Sequence, residues 1–271
     1  MTLFQALILG IVQGLTEYIP VSSTGHLVLV PWLLGWPDAP FTFEVLIQWG
    51  TLVGVFIYFW QDIWQIIAGV IQGLRQRRPL ATFEAKLGWL VIMATIPAVV
   101  FGVIFKDFFE SFFSAPIYVG VFIGITSIIL VIAERYGSRQ RDLASIGWLD
   151  ALIIGFWQVA AMVPGVSRSG ATITGGMLRN FDRPMAARFS FLMSIPALGG
   201  AGAVALKDLL ESGTMMAELP ALIVGFVAAA ISGYFCIRWL LSYLQGHSLY
   251  AFAIYRVILS LLVIVVALVR G

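Results

Sequence analysis

Charge is scarce in this chain. Asp, Glu, Lys and Arg make up only 11% of its residues, against roughly 25% in a soluble domain, so a soluble globular class is excluded at the outset. Cysteine is scarcer still. A single residue, Cys236, rules out an intramolecular disulfide and, set in an apolar run, is expected to be a buried inert thiol rather than a nucleophile. The opening Met1–Gln5 stretch lacks a basic n-region and a small-residue cleavage site, so no removable signal peptide is expected. No stretch reads as a soluble domain, a linker or a low-complexity tract. The net charge of +2 says little about partners, and no nucleic acid is expected among them.

What is present is apolar. Hydrophobic residues reach 60% and the mean hydropathy is +0.96. Runs without charge extend over Leu87–Phe105, Ser111–Ala133, Phe189–Leu206 and Leu219–Ile237, each close to the ~20 helical residues that cross a ~30 Å hydrocarbon core. The expected fold is an all-α integral membrane domain over 1–271, with six transmembrane helices near 41–60, 87–106, 116–134, 185–206, 218–240 and 250–269. Segments 1–30 and 148–178 are apolar at both ends but interrupted by Pro, Gly and Ser, and read as two re-entrant helix-loop-helix segments. Basic residues orient the bundle. Arg75, Arg77, Arg78 and Lys86 lie in one loop, Arg135, Arg139 and Arg141 in another, and Arg179 and Arg183 in a third; the span count puts all three on one side, expected to be cytoplasmic. Loops near 107–115 and 207–217, with Asp107, Glu110, Asp208 and Glu211, fall opposite.

The chain looks duplicated. Gln13 matches Gln158, Gly10 matches Gly155 and Gly25 matches Gly170 at one offset of 145 residues, although Pro20 and Pro164 miss it by one. Each half, about 1–135 and 146–271, holds one interrupted segment and three spans, and an odd number of spans inserts the second copy upside down. An inverted-topology repeat is therefore expected, with the two polar loops meeting near the midplane of a protein-walled cavity.

Those loops carry the chemistry. Glu17 follows Gln13 by four residues, so the two share a helical face. Ser22, Ser23 and Thr24 follow Pro20, and Gly25 permits a turn that brings His26 back towards the hydroxyls, which together supply a nucleophile, a base and an acid. In the second loop Ser167, Ser169, Gly170 and Thr172 surround Arg168, a set resembling an anion cradle because a guanidinium grips phosphate oxygens with two prongs and helix N-termini offer free N–H groups. A buried charge near the membrane centre costs at least ~2.5 to 3.5 kcal/mol, so Glu17, His26 and Arg168 are read as working residues. Ser127 and Ser232 are read as helix–helix hydrogen bonders, Arg256 as snorkelling to the headgroups, and Glu44 either as an acid behind the site or as an interfacial residue.

At these residues the chain resembles the undecaprenyl pyrophosphate phosphatases linked to bacitracin resistance. The likeness covers essentially the whole chain and rests on two long motifs, Gln13-Gly-Leu-Thr-Glu17-Tyr-Ile-Pro-Val-Ser-Ser-Thr-Gly-His26 and Pro164-Gly-Val-Ser-Arg-Ser-Gly-Ala-Thr-Ile-Thr-Gly-Gly176, with further family-like sequence at Phe43–Gln48, Phe189–Pro196 and Phe252–Arg256. Many members carry glutamate where this chain has Gln13, which removes one of two carboxylates a metal would use there.

The resemblance implies an inner-membrane enzyme that converts undecaprenyl diphosphate to undecaprenyl phosphate and inorganic phosphate, recycling the carrier for cell-wall synthesis. It also implies a site open to the periplasm and dependence on a divalent cation, Mg²⁺ or Ca²⁺. On this reading Ser23 attacks the terminal phosphorus, with Ser22 or water as rival nucleophile. His26 serves as base or acid, and Arg168 with Ser167, Ser169, Gly170 and Thr172 holds the phosphoryl oxygens. Gln13, Ser22 and Thr24 contact substrate, and Glu17 orients His26 or binds the metal. The expected partners are the diphosphate lipid, membrane lipid and a second copy of the chain in a homodimer. The rival function is a polyprenyl-phosphate lipid transporter, since inverted repeats with broken helices also build transporters.

Overall fold

The computed structural model describes residues 1–105, 108 and 116–270, and over them the chain is helical without named strands. Six helices are long and apolar enough to cross a membrane, which makes this a multi-pass membrane protein. In chain order the elements are α1 (Leu3–Glu17), α2 (Ser23–Leu34), α3 (Phe41–Tyr58), α4 (Trp60–Arg75), α5 (Phe83–Ile104), α6 (Pro116–Tyr136), α7 (Trp148–Ala160), α8 (Arg168–Leu178), α9 (Arg183–Ser212), α10 (Met215–Leu244) and α11 (Tyr250–Arg270). The spans α3, α5, α6, α9, α10 and α11 fall where the sequence places the six transmembrane helices. Helices α1, α2, α7 and α8, of 15, 12, 13 and 11 residues, are each too short to cross.

Two elements differ from expectation. Helix α4, over residues expected to be loop, turns one face onto α5, with Ile63 buried and Gly88 fitting under Ile66 and Val70, and presents Trp60, Trp64, Ile67, Ile71 and Leu74 outward. The loop expected over 207–217 is instead mostly helix. Helix α9 runs 30 residues to Ser212, closed by Gly213 at φ 72°, and α10 begins at Met215. Asp208 and Glu211 are thus exposed residues of a helix end, with Glu211 near Lys207 one turn away (3.7 Å). Asp107 and Glu110 lie outside the described residues.

The helix ends follow from local sequence. Thr2 and Gln5 form a reciprocal cap at the start of α1, Thr82 caps α5 and Asp182 caps α9. The short helices are held by close backbone approach. Helix α1 packs along α10 and α7 along α5; a Cβ at Gly10 would sit 2.3 Å from the Gly225 carbonyl oxygen, and one at Gly155 would sit 2.5 Å from that of Ala94. The two glycines matched by the 145-residue offset therefore do the same packing job in each half.

Half of the arginines in the three basic loops are committed internally. Buried Glu134 receives Arg139, Arg183 and the Leu249 N–H, while Arg75, Arg77, Arg78 and Arg135 remain exposed. Asp150 receives Arg141 (3.0 and 2.7 Å), Arg179 (2.7 Å) and the Gly147 N–H (3.0 Å). Burial alone would raise the Asp150 carboxyl, but these donors outweigh it and hold it down at about 2. A depressed carboxylate stabilises the fold above its unfolded value, about 3.9, and that contribution disappears as pH falls through the folded value. Asp150→Asn is thus expected to melt earlier than the parent at pH 7, with the gap closing between about pH 4 and pH 2. Equal melting temperatures at pH 7, by scanning calorimetry in detergent, would refute the clamp.

Candidate functional site

The loops α1–α2 and α7–α8 share a local geometry the sequence did not disclose. Ser22 (φ 76°, ψ 92°) and Ser167 (φ 74°, ψ 118°) are both positive-φ residues that cap the next helix, their hydroxyls accepting from Gly25 N (3.2 Å) and Gly170 N (3.0 Å). Positive φ is costly for a side-chain-bearing residue and persists where surrounding structure imposes it, often at functional sites. Each strained cap delivers the next residue, Ser23 or Arg168, as the first of its helix. These two occupy equivalent places at the same offset.

Both reach one carboxylate. Ser23 Oγ donates to Glu17 Oε2 (2.6 Å), Gln13 Nε2 donates to the same oxygen (2.8 Å), and Arg168 donates to Oε1 from Nη2 (3.0 Å) and Nε (3.3 Å). Glu17 is 4% exposed and Ser23 8%, so this hydroxyl, carboxylate and guanidinium are desolvated together. Arg168 is further fixed by Nη1 donating to the Ser190 carbonyl (3.1 Å), and Ser190 Oγ bonds Thr172 Oγ1 (2.6 Å). Ser169 Oγ donates to the Ile19 carbonyl (3.1 Å), stitching one loop to the other, and lies 3.3 Å from Ser167 Oγ. Thr24 is half-buried and makes no hydrogen bond within this network among the described residues.

His26 is not bonded to Ser23. Its Nδ1 lies 2.7 Å from the Ser22 carbonyl and its Nε2 2.6 Å from the Tyr255 hydroxyl, and Glu17 makes no hydrogen bond to it among the described residues. The group accepting from Ser23 is Glu17 instead of the imidazole.

Arg256 overturns the expectation that it snorkels. It is 1% exposed and donates to the Pro20 carbonyl (3.1 Å) in the first loop and to the Gly165 (3.3 Å) and Val166 (3.2 Å) carbonyls in the second, with Thr126 Oγ1 as a further partner. It straps the loops together. Ser127 does bridge helices, to the Ala253 carbonyl (3.4 Å), but Ser232 bonds within its own helix, to Ala228. Glu44 is half-buried at the start of α3, and Cys236 is buried with its thiol towards the Leu15 carbonyl. Sequence reasoning passed over Ser190, Tyr255 and Arg256 as site residues. The available signal was a hydroxyl or charge inside the Phe189–Pro196 and Phe252–Arg256 stretches.

For a hard divalent cation the donor set is thin. Glu17 supplies one carboxylate, and the buried Gln13 Oε1 has no hydrogen-bond partner and could supply one amide oxygen. No group of three or more His, Cys, Asp or Glu able to hold a metal occurs among the described residues. The residues fit an ion carried in by a substrate's own phosphate oxygens better than one caged by protein alone.

The family described as bacitracin resistance protein BacA matches residues 6–262. Among similar proteins are the undecaprenyl-diphosphatases of Chlorobaculum tepidum (44% identical, covering 98% of this chain and 97% of that one), Myxococcus xanthus (42%, 98% and 89%) and Thermomicrobium roseum (40%, 98% and 98%).

Proposed function

The chain belongs to the bacitracin resistance protein BacA family, and from that premise we propose that it hydrolyses undecaprenyl diphosphate to undecaprenyl phosphate and inorganic phosphate. The observation that carries the reading is the 2.6 Å hydrogen bond from Ser23 to Glu17, with Arg168 on the other oxygen of the same carboxylate. A serine beside a buried base is an activated nucleophile, and a guanidinium beside it at a helix N-terminus is suited to a phosphoryl group.

In the resting site Arg168 is paired with Glu17. An arriving diphosphate competes for the guanidinium, whose two-pronged donors turn to the terminal phosphoryl oxygens while Ser167, Ser169, Gly170 and Thr172 line the cradle. Glu17 is then free to take the Ser23 proton as Oγ bonds to the terminal phosphorus and the bridging P–O bond breaks, releasing undecaprenyl phosphate. Water hydrolyses the phosphoserine and frees phosphate. His26 serves as the proton donor or acceptor on the leaving side, and Gln13, Ser22 and Thr24 complete the contacts. Glu17 and Gln13 Oε1 would hold a divalent cation, Mg²⁺ or Ca²⁺, whose chemistry is to offset diphosphate charge. Phosphate release from the diphosphate lipid by the detergent-purified chain tests the activity; binding without release would instead favour a lipid transporter.

The same reading includes an inverted repeat over about 1–135 and 146–271, an inner-membrane location with the site open to the periplasm, a role in bacitracin resistance, and a homodimer checked by light scattering. The matched caps at Ser22 and Ser167 and the matched contacts at Gly10 and Gly155 support the repeat. Cysteines at Gln76 and Gln140, in a Cys236→Ser background, are expected to react with impermeant thiol reagents only from the cytoplasm, and one at exposed Thr214 only from outside. Labelling of 76 and 214 from one side would break the inverted model.

A further inference from the structure

The two ring nitrogens of His26 have different kinds of partner. Nδ1 faces the Ser22 carbonyl at 2.7 Å, and a carbonyl only accepts, so Nδ1 carries a proton whatever the state of the ring. Nε2 is therefore the position at which the imidazole gains or loses its proton. Its partner is the Tyr255 hydroxyl, 2.6 Å away and from α11, 229 residues along the chain. A phenol both donates and accepts. It can donate to the Nε2 lone pair of the neutral ring and accept from Nε2–H of the imidazolium, so the ring changes charge without losing a bond. A second carbonyl would hold only the protonated form, and an amide N–H only the neutral one. The two rings lie within 8° of parallel with centroids 5.8 Å apart, and the adjacent Arg256 anchors this part of α11 to both loops.

We propose that Tyr255 is a positioning residue for the reaction: in a ring whose Nδ1–H is held by the Ser22 carbonyl, its hydroxyl keeps Nε2 bonded in either protonation state, so that Nε2 can exchange a proton during turnover. The proposal rests on the diphosphatase reading for its catalytic half and on hydrogen-bond geometry alone for the other. Tyr255 is 44% exposed, and phenylalanine keeps the ring contact, so Tyr255→Phe removes the hydroxyl with little packing change.

The chain has two histidines, so His247→Gln leaves His26 as the sole imidazole. In that background, ¹⁵N-histidine NMR of the purified protein at alkaline pH should show a protonated Nδ1 and a hydrogen-bonded, unprotonated Nε2. Tyr255→Phe should move the Nε2 resonance to that of a free lone pair, with Nδ1 still protonated. In undecaprenyl diphosphate turnover the same substitution should lower kcat about tenfold, a fraction of what a general acid or base supplies, with KM within twofold. An Nε2 resonance unmoved by Tyr255→Phe overturns the proposal, and so does a moved resonance with unchanged kcat. A parent chain inactive on the diphosphate lipid would overturn the functional reading and the catalytic half with it, while the spectrum, recorded without substrate, still decides the hydrogen bond.

Discussion

Ser23→Ala is expected to abolish phosphate release while substrate binding survives, and Ser22→Gly to retain turnover within a few-fold. The two hydroxyls are adjacent but differently engaged. Ser23 Oγ donates to Glu17 and keeps its lone pairs for attack, whereas Ser22 Oγ accepts from Gly25 N and caps the start of α2. Removing Ser22 Oγ forfeits a cap, which costs about 0.5–2 kcal/mol when replaced by alanine but only a few tenths by glycine, and glycine also relaxes the φ of 76°. The decisive measurement is single-turnover phosphate release with matched monodisperse protein. Near-normal release by Ser23→Ala with loss in Ser22→Gly would transfer the nucleophile to Ser22, and full retention by both would favour attack by water.

Arg168→Lys is expected to insert and fold yet lose hydrolysis by a hundredfold or more, in line with the ~2.7–4 kcal/mol typical of losing an oriented transition-state donor. Lysine keeps the charge, so it can still neutralise Glu17. It cannot reproduce the three directions in which Arg168 donates, to Glu17 Oε1 from Nη2 and Nε and to the Ser190 carbonyl from Nη1. Were the arginine only a counter-charge for Glu17, lysine would substitute with little kinetic effect and alanine would mainly lower the yield of folded protein. Hydrolysis by Arg168→Lys within about threefold of the parent would remove it from the phosphate cradle. Ser190→Ala provides a control, because it keeps the carbonyl that Arg168 uses and loses only the hydroxyl bonded to Thr172.

The spans were legible because lipid imposes a composition, and a run such as Phe189–Leu206 admits no other element. Their ends were less so. Lys207, Asp208 and Glu211 read as a loop because charge usually marks one, but a helix that emerges from the bilayer carries charge equally well, and α9 runs on to Gly213. Helix α4 went unread because it buries one stripe on α5 and turns another outward, a pattern that a search for charge-free runs does not detect.

Within the site, the sequence alone determined which polar residues to look at, since Glu17, Ser23, His26 and Arg168 stand out in membrane-grade sequence, and the 145-residue offset tied the two loops to each other. Tertiary structure decided who bonds to whom. Local spacing suggested His26 beside Ser23, yet the strained cap at Ser22 aims Ser23 at Glu17, and the imidazole meets Tyr255 from a helix more than two hundred residues away. Arg256 carries the same lesson, because its partners are main-chain carbonyls of Pro20, Gly165 and Val166. Every residue offers a carbonyl, so a sequence holds no mark of which ones will be left unpaired at a loop; only the packing of α11 against both loops brings a guanidinium to them, where a buried charge must find such partners or not be buried at all.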